Sequence, residues 1–377
     1  MINRKVFMHF DFLLLFFILP LMGLSFFLVY EINTALSLKQ AIYFVVAFVV
    51  FWAIFFIPFR QLDRLFYFFY WFCIFLLLLV NIVGSVKLGA QRWLTIPIIS
   101  LSLQPSEPVK IAILLLLAHL ISTNPIPPGG YGWKIFGKLS FYILLPVILI
   151  LKQPDLGTAL VILMMGFGVL FLVGVHPKIW ITLALFFTIA SPLIYSSLHD
   201  YQKKRLHDFI AEKPNYHVRQ SIIAIGSGGL LGKSKEQSTQ AKLKFLPIAT
   251  SDFIFAYFVE RFGFLGAFIL LAFYMGFILH FLSYFGSDPK DRFLQTITGG
   301  IAILLFVYTS IDIAMTLGLA PVVGLPLPLL SYGGSSFITF IALFAIFENL
   351  LAFKFGFGYN RPLRRGFLAQ LVRAFGS

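Results

Sequence analysis

Apolar residues along this chain come in long blocks, with no sustained short-period alternation with polar ones. Near-continuous apolar runs occupy residues 12–30, 41–58, 65–84, 108–122, 139–151, 158–175, 179–198, 264–285, 293–317 and 337–353, divided by short stretches rich in Gly, Pro, Lys and Arg. A helix of about 20 residues crosses the hydrocarbon core of a bilayer, and backbone polar groups there must be satisfied internally. The pattern predicts an all-α polytopic membrane protein of about ten transmembrane helices, the fourth and fifth runs being short. One polar segment, 199–251, is far longer than the other connections and reads as a large external loop between the seventh and eighth spans. Behind it, residues 252–261 form an apolar half-helix too short to cross, broken before the next span at Gly263. The chain, 1–377, reads as a single transmembrane domain.

Composition sharpens this picture. Hydrophobic residues make up 59% of the chain and charged residues only 12%, against roughly 25% charged in soluble domains. The sole cysteine, Cys73, lies inside an apolar run, which excludes disulfides and thiolate metal clusters. A net charge of +14 suggests nucleic acid until its placement is considered. With ten crossings both termini share a side. Arg4, Lys5, Arg60, Arg64, Lys134, Lys138, Lys178, Lys290, Arg292 and the arginines of the C-terminal tail then face one way, against Lys39, Lys87, Arg92, Lys110 and Lys152 on the other. The positive-inside rule makes the richer side cytoplasmic and puts the long loop outside. No nucleic-acid partner is expected. The run AIGSGGLLGKS at 224–234 resembles a phosphate-binding P-loop, but Ser227 stands where the first glycine is required. An ATP site outside a cell is also implausible, whereas a lipid-borne phosphate there is not.

The informative ionisable residues gather at the outer ends of the spans. Asp252 follows the basic loop; locally it reads as a helix N-cap, the commonest use of Asp at that position. Glu107 and Lys110 lie three apart at the mouth of the fourth span, after Gln104 and a potential cap at Ser106. They are either a structural ion pair or part of a site, since ionisable groups within a membrane are costly. Arg92 adjoins the interfacial Trp93, and Asp312 lies inside the ninth span. The uncharged Gly/Pro-rich segment after Asp312 must be enclosed by protein. Asp11, Asp63, Asp288, Asp291 and Glu348, at the cytoplasmic ends, read as capping and topology.

Six motifs occur in order along nearly the whole chain: GAQRWL at 89–94, QPSE with Lys110 at 104–110, QPDLGTAL at 153–160 and YHVRQSIIAIGSGGLLGK at 216–233. TQ with FLP before DFIFA at 239–256 and GLAPVVGLPLPLLSYGGSS at 318–336 complete the set. Together they make the chain resemble the SEDS family, the RodA/FtsW/SpoVE group of bacterial cell-wall polymerases, with QPDLGT and the short tails nearest the RodA branch. The resemblance implies a peptidoglycan glycosyltransferase, multi-pass in the bacterial cytoplasmic (inner) membrane with both termini cytoplasmic, serving cell elongation and shape. Its substrate would be lipid II, an undecaprenyl-diphosphate disaccharide-peptide, polymerised to a β-1,4 glycan at the outer face. Its partners would be a class B penicillin-binding protein transpeptidase and other membrane proteins of the elongation complex.

The family's essential aspartate maps onto Asp252, and its polar pair onto Glu107 and Lys110. A carboxylate base at Asp252 suits an inverting transfer, which needs no second, nucleophilic carboxylate. Lys110, Arg92 and Lys233 would stabilise the departing diphosphate, with the glycine-rich loop offering backbone N–H groups; Gln104 and Asp312 complete the expected substrate-binding set. No resident cofactor is expected beyond a divalent cation, Mg or Mn, on the diphosphate. Two departures stand out. Ile248 and Thr250 replace a Glu and a His usual in relatives, and Asp312 replaces an asparagine. A lipid II flippase and a non-catalytic scaffold for a transpeptidase remain the competing readings.

Overall fold

The computed structural model describes residues 9–87, 90–96, 101–197, 203, 209, 215–238, 249–288 and 290–353. The apolar runs form helices: α1 (Phe12–Ile32), α2 (Thr34–Phe55), α3 (Asp63–Val83), α4 (Ser106–Thr123), α5 (Trp133–Lys152), α6 (Leu156–Val173) and α7 (Pro177–Ser197). After the polar segment come α8 (Tyr216–Ser227), α9 (Ile254–Ser287), α10 (Arg292–Thr316) and α11 (Gly334–Ala352). Among the described residues nine of these are long and apolar enough to cross a membrane, and α7 contributes a further, shorter apolar stretch over Pro177–Leu193.

Two elements depart from the reading of spans joined by loops. Residues between α3 and α4 form a small antiparallel sheet, β1 (Ser85–Lys87), β2 (Ala90–Ile96) and β3 (Leu101–Leu103), in the order β1-β2-β3. Two of its strands, β1 and β3, are only three residues long. Within the polar segment α8 is a helix whose Val218, Ser221 and Ala224 are buried, a three-residue spacing that marks one inward face.

The helices form an inner and an outer layer. Of the apolar windows of α4 and α11, 78% of each is buried within the protein, against 22% for α2. α10 sits between them, packing on α9, α6 and α4. Small residues permit the close approach: a Cβ on Gly300 of α10 would lie 2.2 Å from a Leu114 methyl of α4, the mode by which helices pack where no hydrophobic drive distinguishes protein from lipid. Polar caps hold the end of the bundle where α1 and α10 begin. Asp11 accepts from Leu13 N and Asp291 from Leu294 N. Arg60 pairs with Asp291 at 2.6 Å, and Asn349 donates to the Phe55 and Ile57 carbonyls. Glu348, read from sequence as peripheral, is wholly enclosed and accepts the Asp11 N–H.

At the other end α9 is broken. Gly263 has φ +67° and ψ −167°, so the helix up to residue 262 and the helix after it are separate rods. A break at membrane depth leaves carbonyls and N–H groups that must find partners. The glycine-rich loop after α8 supplies them. Phe264 N and Leu265 N, at the start of the second rod, donate to the Gly229 and Leu230 carbonyls at 2.9 and 3.1 Å. Lys233 N donates to the Glu260 carbonyl of the first rod at 3.0 Å. Backbone meets backbone because the residues there are glycines: a Cβ on Gly232 (φ +84°) would stand 2.2 Å from the Arg261 carbonyl oxygen. The resemblance to a P-loop thus has a mechanical cause. Arg261 completes the joint, donating to both Glu31 oxygens at 2.9 and 3.0 Å and to the Lys233 carbonyl.

The joint predicts a contrast between two nearby glycines. Gly232→Ala should lower stability by about 1–3 kcal/mol, the scale of a forced overpacking, read as a drop in the melting temperature of the detergent-solubilised protein. Gly226→Ala, inside α8 with open space around its Cβ, should be neutral or stabilising by roughly 0.5–1 kcal/mol.

Candidate active site

The motif residues converge at the end of the bundle where α9 starts and α10 stops. Asp155 opens α6 as its N-cap, accepting from Thr158 N at 3.2 Å and from the Thr158 hydroxyl at 2.9 Å. Gln104, from the residues before α4, donates to the same carboxylate at 3.1 Å. In the first turn of α6, Gly157 admits the Val323 carbonyl, which would lie 2.6 Å from a Cβ. Val323 belongs to the irregular segment 317–333 that follows α10. That segment is buried at Val323, Leu325, Leu327, Leu329, Leu330 and Ser331, as expected for non-helical backbone at membrane depth.

This segment carries Asp252 to its place. Tyr332 N donates to the Thr250 carbonyl at 2.8 Å, and the Ser331 hydroxyl donates to the Ser251 carbonyl at 2.7 Å. Ser331 also accepts from Leu327 N, closing the turn on itself. The carboxylate of Asp252 then lies against Gly324, 3.4 Å from where a Cβ would be. Capping is not its role: α9 begins at Ile254 with Phe253 as N-cap and no side-chain cap bond. Ser106 likewise caps nothing, its hydroxyl being buried without a partner among the described residues. Asp252 is half-buried. Burial raises its pKa above the ordinary carboxylate value, partly opposed by a hydrogen bond from the Ser251 side chain. α8 lies over this region, with Ser221 donating to the Thr316 carbonyl at the end of α10 and His217 stacked on Phe253.

Glu107 and Lys110 form a deeper cluster. The Lys110 ammonium, 1% exposed, donates to Glu107 Oε1 at 2.8 Å and to the Tyr308 hydroxyl of α10 at 2.5 Å. In this structure its charge is engaged inside the protein, where it ties α4 to α10. Glu107 is also buried, its second oxygen lacking a partner among the described residues. Tyr308 was not legible as a functional residue. The one available signal is its spacing of four from Asp312, which puts both on one face of α10.

Asp312 is fully enclosed, and neither carboxyl oxygen has a hydrogen-bond partner among the described residues. Gln104 serves Asp155, so the structure gives it a supporting part. Lys233 is half-buried at the helix joint, and the N–H groups of Gly228, Gly232 and Lys233 already donate to the Ile225, Gly228 and Glu260 carbonyls. The side chain of Arg92 and residue Ile248 lie outside the described residues. Among the described residues no group of three or more His, Cys, Asp or Glu gathers to hold a metal ion.

Comparisons with known proteins agree on the kind of molecule. The family described as "Cell cycle protein" (FTSW_RODA_SPOVE) matches residues 2–355. The chain is 63% identical over 379 residues, spanning 100% of both chains, to a protein of Helicobacter pylori (strain J99) named peptidoglycan glycosyltransferase MrdB. It is 39% identical over 277 residues to the protein of that name in Escherichia coli (strain K12), covering 72% of this chain and 73% of that one. Its fold is similar to the rod shape determining protein RodA of Thermus thermophilus, with TM-score 0.70, 26% identity and coverage of 92% and 98%. It is also similar, at TM-score 0.79, 25% identity and the same coverage, to a chain from a structure on the coordination of polymerization and crosslinking by a peptidoglycan synthase complex.

The buried cluster yields a test. Lys110→Met leaves the Glu107 carboxylate enclosed without its cation, a loss on the order of 3–5 kcal/mol. Thermal unfolding of Lys110→Met, Glu107→Gln and the double variant should show the double losing less than the sum of the singles.

Proposed function

The chain belongs to the FtsW/RodA/SpoVE family, and from that premise we propose that it polymerises lipid II with Asp252 as the general base. It is a peptidoglycan glycosyltransferase, the activity named for relatives that match it end to end, and a multi-pass membrane protein. The observation that carries the assignment of the base is the placement of Asp252. It is a half-buried carboxylate at the end of the bundle, released from capping duty, on a turn whose Thr250 and Ser251 carbonyls are bonded by an enclosed segment.

Chemistry follows from that placement. The acceptor sugar hydroxyl attacks the anomeric carbon of the donor as the bond to the diphosphate breaks. The hydroxyl proton passes to the Asp252 carboxylate, and the electron pair of the broken bond leaves with the diphosphate. One carboxylate suffices for inversion of an α-linked donor to a β-1,4 glycan. The departing charge calls for cations near the mouth, and Lys233 and Arg92 are the candidates, Lys110 being engaged within the protein. A divalent cation, where one takes part, would travel on the diphosphate. In the bacterial inner membrane the Asp252 end faces outward and both termini are cytoplasmic, the orientation the distribution of Lys and Arg favours. The likeness to a chain of a synthase complex that couples polymerization to crosslinking supports a class B penicillin-binding protein as partner.

Purified protein, with and without such a partner, supplied with lipid II in vesicles tests this reading. Asp252→Asn should lower glycan synthesis by about 10²–10⁴-fold, the usual contribution of a positioned base, with an unchanged melting temperature. Lipid II crossing the bilayer without polymer would instead point to a flippase, and neither activity to a scaffold. Only ionised Asp252 accepts a proton, so the rate should fall as pH drops through its pKa. Because burial raises that value, the acid limb should lie above the ordinary carboxylate range.

A further inference from the structure

The half-helix 254–262 is parted from the rest of α9 at Gly263, so the long rod does not fix how the short one is turned. Its residues from Ile254 to Glu260 are buried, but apolar packing is non-directional and tolerates small rotations and slides. A polar contact settles both. Tyr257 and Arg261 lie four apart on one face of the half-helix and grip a single carboxylate, that of Glu31 in α1. The Tyr257 hydroxyl donates to Glu31 Oε2 at 3.0 Å, Arg261 Nε to the same oxygen at 2.9 Å, and Arg261 Nη2 to Oε1 at 3.0 Å. Only 13% of the Arg261 side chain and 7% of the Glu31 side chain is exposed, and parting an enclosed pair strands its charges. Glu31 stands in the last turn of α1, where the helix dipole disfavours an acid. What it holds accounts for its being there.

The same guanidinium also reaches the glycine-rich loop. Arg261 Nη1 donates to the Lys233 carbonyl, and Lys233 N donates to the Glu260 carbonyl at 3.0 Å. Lys233 is therefore bonded through both its N–H and its C=O to the last turn of the half-helix. At the other end, Ala256 N and Tyr257 N donate to the carbonyl of Phe253, the residue after Asp252, at 3.1 and 3.3 Å. The half-helix is a strut between the proposed base and a proposed leaving-group cation. Ile254 and Arg261 are seven residues apart, about 10 Å along the axis. Inverting sugar chemistry places its two assisting groups on opposite faces of the ring, about 6.5–9.5 Å apart, and the strut is of that order. We propose that Arg261, seated on Glu31, is a positioning residue that sets the register between the half-helix presenting Asp252 and the loop presenting Lys233. The inference rests on the reading of Asp252 as base and Lys233 as cation, and deepens it. Neither Arg261 nor Glu31 exchanges a proton in the reaction.

Steady-state lipid II polymerisation by the full-length protein in vesicles, below the melting temperature of each variant, tests this. Arg261→Lys keeps the charge but loses the planar fork that serves Glu31 and the Lys233 carbonyl together. Its turnover should fall by about 10²-fold, the scale of a misplacement of about 1 Å, with the half-saturating lipid II concentration within about twofold of the parent. Lys233→Ala should also lower turnover, and the double variant should lie within about threefold of Arg261→Lys alone, because residues acting through one contact are not additive. A purely structural pair predicts parent turnover for folded Arg261→Lys, which would overturn the proposal. So would a loss confined to the half-saturating concentration, parent turnover for Lys233→Ala, or losses that multiply in the double variant. Should Arg261→Lys not fold, Tyr257→Phe removes one bond to Glu31 while keeping the ring. Its turnover should then fall at least threefold, without multiplying the Lys233→Ala loss, and parent turnover would count against the proposal. The base reading fails separately, if Asp252→Asn polymerises glycan like the parent.

Discussion

Tyr332 N–H bonded to the Thr250 carbonyl, and the Ser331 hydroxyl bonded to that of Ser251, hold together two parts of the chain that could not stand alone. The segment after α10 has no helix to satisfy its backbone, and the turn before α9 has no cap. Each supplies what the other lacks. In a bilayer, water cannot fill such gaps, so irregular backbone persists only where protein completes it. The position of Asp252, the kinked helix behind it and the segment facing it are consequences of that one accounting.

The same constraint explains why the conspicuous motifs are mostly architecture. Gly157 makes room for the Val323 carbonyl, Gly232 for the Arg261 carbonyl, and Gln104 orients Asp155 at the start of α6. Lys110, Glu107 and Tyr308 bind α4 to α10 by a buried charge pair with one hydroxyl. Such a pair contributes little net stability but makes any other arrangement of the two helices expensive, because separating the charges strands one of them in protein. Asp252, the proposed base, is left half-buried at the end of the bundle.

A membrane enzyme that handles a lipid diphosphate faces opposed demands. It must expose a charged base to a polar headgroup while keeping its spans apolar. Here the ionisable groups are graded by depth at one end: Asp252 half-buried, Asp312 and Lys110 enclosed. On the proposed mechanism Asp252 meets the substrate, while the enclosed Lys110 and Glu107 tie α4 to α10.

How much of this was legible beforehand follows from which interactions are local. Long apolar runs determine spans by themselves, because a helix of given length and hydropathy has one low-energy place in a bilayer; hence every run is found as a helix, and the break at Gly263 falls where the half-helix was expected. Motif order pointed to the family and to Asp252. What the chain alone did not reveal depends on contacts between distant segments. Asp252 and Ser106 look like caps locally, yet neither caps: the turn that carries Asp252 is tied at Ser251 to a segment some eighty residues away, and Ser106 lies inside α4. The glycine-rich loop looks like an anion site, yet it repairs a broken helix. Lys110 looks available to substrate until Tyr308 of α10 closes over it. Side-chain type and spacing are written along the chain, but which donor meets which acceptor was decided only when the helices packed and each buried polar group had to find a partner.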